Sequence, residues 1–576
     1  MMNQESWIKV NEHLIAKSIG ELTFEQILTP SLEDGQWTLK LASGVTYSFM
    51  GVMSIWEHLK IAAPTLKRNS EPVKSAAQFF IDSQFETKMS DIVLGNFLEE
   101  MHNTLYSDLT LLENSKNVSA QLAATLDGEE LQFILNGHPK ILLNKGRIGL
   151  GASDLEKFSP ETKAVFKLRW IAIQKNDLQG ENISLDILDE SFDQISKNNF
   201  LTLIKEKKIN LDSYSLIPVH PWQWDHYIKI QFAGLICAEK IIDLGVHGDD
   251  YRPQISIRTL SNYTRAEKTD IKLPLSILNT SCIRGLPAAS VAAGTKVSKV
   301  LSEMIKADQF LNESGTEVLK EKSGAAFVHP DFASVKNAPY RYHEYLGAVW
   351  RESAKSKIDN GELAIITAAL FYQDDKKNSL IGEYIKRSGL TQEQWLKQYF
   401  KTVVIPLYHI QIQYGVGMVA HGQNIILKLK NFTPAGMILK DFQGDLRLST
   451  ELPEIGKKYF SSVESALTKL PPDYLIHDLI TGHFITVLRF ISEVMNECDK
   501  ISEERFYEIL STEIKAYIID KKIDERQSLL KRTIPRVLLN KVRFAIGYSD
   551  SAERPLPMVG SELLNPLYPK KDAGHL

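Results

Sequence analysis

Residues 421–447 restrict the fold of this chain more than any other stretch. Two short apolar runs, Ile425–Leu429 and Met437–Leu439, flank Asn431-Phe432-Thr433-Pro434-Ala435-Gly436. A Pro/Gly/Asn cluster between two such runs reads as the loop of a β-hairpin. An antiparallel pair sets the residues entering its first strand beside those leaving its second. His421-Gly422-Gln423-Asn424 precede the first run and Lys440-Asp441 follow the second. His421, Asn424 and Asp441 are therefore expected together at one end of the hairpin, although 20 positions separate the first from the last. A basic ring, an amide and a carboxylate held together by backbone pairing suit a phosphate ester and its magnesium. Packing alone gives no reason for them.

The 576 residues are enough for about three or four domains. Hydrophobic residues at 43% and charged residues at 24% are the proportions of an ordinary soluble protein. The formal charge of −4, from 67 basic and 71 acidic side chains, gives no electrostatic case for nucleic acid or an anionic membrane as partner. Cys237, Cys282 and Cys498 are too scattered for a disulfide framework or a thiolate metal site. The opening Met1-Met2-Asn3-Gln4-Glu5-Ser6-Trp7 lacks the basic segment and apolar core of a signal peptide. No run approaches the ~18 apolar residues of a membrane span. A cytoplasmic location is the expectation.

Texture divides the chain in three. Residues 1–130 read as mostly helical, with apolar residues three and four apart in Ala76–Phe85 and Ile92–Leu112. Residues 131–340 turn to short β-branched runs, including Ile209–Val219, Gln254–Leu260 and Ile271–Leu278, separated by Gly, Pro and Asn. Residues 341–576 return to helix through Tyr342–Ala354 and Gln392–Tyr414, continue into the hairpin, and end mainly helical through about Phe544.

The middle region concentrates cations and hydroxyls. On a strand, Ser256 and Arg258 would share a face, as would Lys272 and Ser276 on the next, where Pro274 argues for an edge or a bulge. Thr280-Ser281 and Arg284 follow, so Ser256, Arg258, Lys272, Thr280 and Arg284 fall within 29 residues. Guanidinium forks match phosphate and carboxylate oxygens two at a time, and lysine adds a mobile point charge. Each residue alone could be solvated surface. Joined to the hairpin, they divide the labour of an ATP site: cations from one region, a magnesium-binding carboxylate from the other. Gly137-His138-Pro139 with Lys145 and Arg147 adds three more candidates. His220-Pro221-Trp222-Gln223-Trp224 reads equally well as an aromatic corner of a core.

Together these blocks resemble the IucA/IucC family, the NRPS-independent siderophore (NIS) synthetases. The matching pieces run in order from Gly137-His138-Pro139 through His220-Pro221-Trp222-Gln223, Ser256–Thr259, Lys272-Leu273-Pro274-Leu275, Thr280-Ser281 with Arg284, His421–Asn424 and Lys440-Asp441-Phe442-Gln443-Gly444 to Asn565-Pro566-Leu567. The fold that the resemblance implies is α+β and hand-like. A helical thumb would occupy residues 1–130, β-rich fingers 131–340, and a palm with a distantly kinase-like nucleotide-binding part 341–576. The implied activity is ligation: ATP and Mg²⁺ adenylate a carboxylate of citrate or a citrate derivative. An amine or hydroxyl, on a polyamine, an amino acid or a hydroxylated amine, then displaces AMP.

Carried over, Ser256, Arg258, Thr280, Arg284 and Lys272 resemble nucleotide and phosphate contacts, with His138, Lys145, Arg147, Gln423 and Asn424 beside them. His421, Arg284 and Lys272 resemble the catalytic set, and Asp441 with Asn424 the metal ligands. A homodimer is the assembly the resemblance suggests. Three positions depart from the family pattern. Ile141-Leu142 replaces a second His-Pro pair, Val419 a glutamate two residues before the histidine, and Lys440 an arginine. Two other readings compete. A kinase-like phosphotransferase would release ADP, but no Gly-rich phosphate loop precedes a lysine-bearing strand. A non-catalytic relative would bind citrate or a ferric chelate as a sensor.

Overall fold

The computed structural model describes residues 3–180, 184–280, 282–442, 444–524, 527–547 and 558–568. Ser281 and Gln443, which belong to two of the motifs above, lie outside the described residues. The hairpin forms, with a tighter turn than the composition implies. Ile425–Lys430 pairs antiparallel with Thr433–Leu439, Ile425 opposite Leu439. Asn431 and Phe432 alone make the turn, at φ 50° and 61°, as in the two-residue primed turns whose twist suits a hairpin. Thr433–Gly436 is strand despite its proline and glycine. A register shift between Lys428 and Leu429 precedes the Leu429–Pro434 pairing, and Gly436 lies so close to Gly315 that a Cβ would strike the Gly315 carbonyl. That approach sits beside the parallel addition of Thr316–Val318, while Glu362–Ile366 completes a four-stranded sheet on the other side.

A second sheet of eight strands has only antiparallel neighbours. Its order is Tyr214–Val219, Phe166–Gln174, Ile241–Pro253, Thr259–Asn262, Asp270–Lys272, Leu346–Arg351, Glu321–Phe327 and Gln179–Gly180. Trp170, Ile171, Ile217, Leu260, Ile271 and Trp350 bury its apolar residues in one core. The largest core lies against the four-stranded sheet, where Trp395, Tyr399, Tyr408 and Phe506 from helices on both sides of the hairpin in sequence join Leu427 and Met437. The helical run Pro472–Asp499 is long and apolar enough to cross a membrane, but 83% of its most apolar window is buried inside the protein. It is a core helix here.

Several local expectations are corrected. The helical texture of residues 1–130 holds for Gln4–Phe24 and Asp91–Ser115, but a five-stranded antiparallel sheet stands between them in residues 31–72. Its strands are two to five residues long, too short for an alternating pattern to emerge. Tyr342–Ala354 is a strand, Leu346–Arg351, preceded by one short turn of helix. Every residue of that strand is buried, so its apolar run is continuous and lacks the period of two. Ser256-Ile257-Arg258 forms a turn between two strands, with Ile257 at φ 65°. The shared strand face expected for Ser256 and Arg258 therefore does not exist. Ile271–Leu278 is two strands, Asp270–Lys272 and Leu275–Asn279, interrupted at Leu273-Pro274. Ile209–Val219 retains only Tyr214–Val219, and Gln392–Tyr414 is helical throughout.

Candidate active site

The two sheets meet at Asp441. On the eight-stranded sheet, Asp270 is directly opposite Arg351. Cross-strand partners and alternate residues share a face, so Asp270, Lys272 and Arg351 project together. Asp441 leaves the hairpin's second strand at φ 61° and receives both cations. Lys272 Nζ is 2.8 Å from Asp441 Oδ1, and Arg351 Nη1 is 3.0 Å from Oδ2. Arg351 Nη2 is 3.1 Å from Asp270 Oδ2. Burial would raise the pKa of Asp441, but Lys272, Arg351 and Lys440 outweigh it and hold the carboxyl well below its usual range. Burial lowers the pKa of Lys272, with Asp441 pulling the other way.

The hairpin's open end is tied by backbone bonds. The Lys440 N–H donates to the Asn424 carbonyl at 3.2 Å, and the Asn424 N–H to the His421 carbonyl at 2.9 Å. The Gln423 N–H donates to His421 Nδ1 at 3.2 Å, so a neutral ring carries its proton on Nε2. Burial lowers the pKa of His421; Asp445 and Asp441 oppose that, while Lys440 and Arg284 add to it. The imidazole is thus neutral at pH 7 and able to donate. Asn424 Nδ2 donates to Asp445 Oδ2 at 3.0 Å, which leaves Oδ1 as the oxygen that can meet a cation. The His138 ring stands edge-on to His421, centroids 5.8 Å apart. Its Nδ1 is buried without a hydrogen bond, and its pKa is pushed far down by burial first and by His421, Lys17 and Lys140 after it.

The remaining candidates divide. Arg284 carries a buried Nε with no hydrogen bond and acts electrostatically on His421. Arg258 donates through Nη1 to the Gly285 carbonyl, which sets it against the end of the strand Cys282–Arg284. Ser256 Oγ is buried without a hydrogen bond. Thr280, at φ 48°, donates its hydroxyl to the Asn279 carbonyl. The charged ends of Lys145 and Arg147 are engaged elsewhere. Lys145 Nζ is 2.7 Å from Asp108 Oδ1 and 2.8 Å from the Asn136 carbonyl, and Arg147 makes a bidentate pair with Glu161 at 2.7 and 2.8 Å. Gln223 clasps Ser276 at both ends of its amide, while Trp222 is buried and stacks on His226. That motif is a packed corner.

Three residues of the cluster were not singled out from the sequence: Arg351, Asp270 and Asp445. The apolar run Leu346–Trp350 ending at Arg351-Glu352 was the available sign of a buried strand with a charged exit. Asp445 lay in the same loop as Asp441.

Residues 129–372 match the model of the IucA / IucC family, and residues 393–551 a model described as ferric iron reductase FhuF-like transporter. The second segment holds one cysteine, Cys498, too few to ligate an iron–sulfur cluster by thiolates. The chain is 37% identical to aerobactin synthase of Escherichia coli over 98% of this chain and 99% of that one. It is 32% identical to the rhizobactin siderophore biosynthesis protein RhbF of Rhizobium meliloti over 98% and 96%. The solved structure of aerobactin synthetase IucC from a hypervirulent pathotype of Klebsiella pneumoniae superposes with a TM-score of 0.88 at 35% identity, covering 98% of this chain and 99% of that one. With matches of this extent to sequence and fold alike, the chain belongs to the IucA/IucC family of NRPS-independent siderophore synthetases.

Proposed function

We propose that this synthetase uses ATP to adenylate a carboxylate of citrate, or of a citrate monoamide, and condenses the product with an amine or hydroxyl. One observation carries the reading. Lys272 from the middle region and Asp441 from the distant hairpin meet at 2.8 Å, beside a neutral imidazole that also feels the charge of Arg284. The substrate class draws support from a Bacillus anthracis relative, 29% identical, named as a citryl-spermidine/3,4-dihydroxybenzoyl-citryl-spermidine:spermidine ligase.

A carboxylate cannot acylate an amine directly, because the leaving group would be oxide or hydroxide. In the first step a carboxylate oxygen attacks the α-phosphorus, and the bond to the β-phosphate breaks to release pyrophosphate. Two anions must approach each other, and Arg284, Arg258 and Lys272 offset that Coulomb cost with charge already in place. His421 donates from Nε2 to an α-phosphate or carboxyl oxygen. In the second step a neutral amine attacks the acyl carbon, AMP leaves with the electron pair of the C–O bond, and the amine gives up one proton. The hydroxyls of Ser256 and Thr280, with Gln423, complete the nucleotide contacts. Lys145 and Arg147 act through the loop that carries His138, since their own charges are already paired.

Asp441 and Asn424 Oδ1 are the residues that would hold Mg²⁺. Among the described residues no group of three or more His, Cys, Asp or Glu is placed to cage a metal. That fits an ion bound by one or two carboxylates plus substrate phosphates. When bound, it would neutralise charge on the departing pyrophosphate. Val419 brings no carboxylate, but its N–H donates to the Asp445 carbonyl at 2.9 Å, so Asp445 supplies one in that neighbourhood. A pyrophosphate-release screen over carboxylic acids and polyamines tests the reading. Release should require one acid of the citrate class. Phosphate release with ADP, independent of acid, would reject it.

A further inference from the structure

We infer that Lys272 and Arg351 clamp Asp441 from both sides, so that a divalent metal gains this carboxylate only when a polyphosphate draws Lys272 away; the inference rests on the assignment of Asp441 as metal ligand. Each carboxylate oxygen already faces a cation, Oδ1 at 2.8 Å and Oδ2 at 3.0 Å. A metal arriving alone meets two positive charges at Asp441. Like charges a few ångströms apart in a buried site repel strongly.

The two arms of the clamp differ in freedom. Arg351 is 2% exposed and is held at its other end by Asp270, which also accepts from Gln254 Nε2 at 2.9 Å. Asp270 and Arg351 face each other across paired strands, so the backbone fixes their separation. Arg351 is a positioning residue: it keeps Asp441 aimed and holds its charge 3.0 Å from Oδ2, so Oδ1 is the oxygen a metal can gain once Lys272 has left. Lys272 donates to Asp441, and Glu321 acts on it electrostatically as well. A compact ammonium on a four-carbon stem can move several ångströms at little cost. Phosphate oxygens entering beside it offer more negative charge than one carboxylate does. Lys272 is therefore the arm that changes partner, freeing Oδ1 while Arg351 stays.

A nucleotide helps a metal bind in any such site simply by adding ligands, so that effect alone proves nothing. The distinguishing variant is Lys272→Met, which keeps the stem and deletes the charge. Mn²⁺, whose free form is read by electron paramagnetic resonance, is titrated into the full chain with and without an ATP analogue carrying a methylene between the α- and β-phosphorus. Wild type should bind Mn²⁺ weakly alone and at least tenfold more tightly with the analogue. Lys272→Met should bind Mn²⁺ alone at least tenfold more tightly than wild type does, while Lys272→Arg, which restores the charge, stays at the wild-type value. Lys272→Gln serves if the methionine variant does not fold. Metal-only affinity unchanged in the charge-deleted variant, with analogue-supported binding intact in wild type, overturns the clamp and leaves the site standing. Absence of analogue-supported Mn²⁺ binding in wild type overturns both.

Discussion

Asp441 gathers charges that the sequence keeps far apart: Lys272, Arg351 and Lys440 all bear on one carboxylate. Arg284 and His421 stand on the same site from different stretches of the chain. Arg284→Ala, His421→Ala and Asp441→Ala should each lower acid-dependent pyrophosphate release by about 10²–10³-fold, with thermal unfolding close to wild type in the first two and lowered in Asp441→Ala, which leaves Lys272 and Arg351 without their shared carboxylate. Wild-type turnover in any two would place the chemistry elsewhere. Residues were legible where local chain geometry predicted their meeting. His421, Asn424 and Asp441 follow from a hairpin alone, and Lys272 from its place in a cation-rich stretch. Arg351 was not legible, because its role depends on which strand lies beside Asp270–Lys272, and register across 80 residues leaves no local mark. Lys145 and Arg147 carried the right chemistry for an anion, but Asp108 and Glu161 meet them first.

At the scale of elements, the hairpin's two-residue turn keeps His421 and Asp441 in register. Phe432 holds φ 61° because Trp395 Nε1 donates to its carbonyl at 2.9 Å and its ring stacks near Tyr384. Asn431, at φ 50°, belongs to a residue type that tolerates the left-handed region. Asn431→Val should cost about 1–2 kcal/mol, and Asn431→Gly only a few tenths of that size, as read by denaturant unfolding. Equal stability of the valine and glycine variants would mean that the turn relaxes freely. Long amphipathic helices such as Asp91–Ser115 and the hairpin were readable because their periods repeat several times. The sheet within residues 31–72 was not, since two- to five-residue strands never complete a pattern. Leu346–Arg351 deceived for another reason: burial of every residue erases the alternation that marks a strand.

Across the whole molecule, a buried charge network joins distant parts of the chain. Glu21 on the first helix meets Lys140 at 3.2 Å and pairs with Arg489, while His58 Nδ1 lies 2.8 Å from Glu493. Burial would push the carboxyl of Glu21 up, but Arg489, Lys140 and His58 hold it at about 2 against an ordinary 4.5. A depressed folded pKa stabilises above the unfolded value, and that contribution is lost as pH falls from 4.5 through 2. The difference is worth about 3 kcal/mol. Unfolding followed from pH 6 to 2.5 should show this loss in wild type. Glu21→Gln should start less stable at pH 6 and show a shallower acid slope; parallel slopes would exclude the linkage. Nothing in the sequence pairs Glu21 with Arg489, 468 positions away; such pairs exist only once the fold does. Texture separated helix-rich from strand-rich stretches only coarsely, since strands also stand in residues 31–72 and at Leu346–Arg351. The central claim is that cations of the middle region and the hairpin's imidazole and carboxylate act as one adenylating site. The most direct measurement is the nucleotide product formed from ATP, Mg²⁺ and citrate, with hydroxylamine as a trap for the activated acyl group. The account predicts AMP and pyrophosphate in step with hydroxamate, all lost in Asp441→Ala. ADP and phosphate as the products, or AMP formed without the acid, would contradict it.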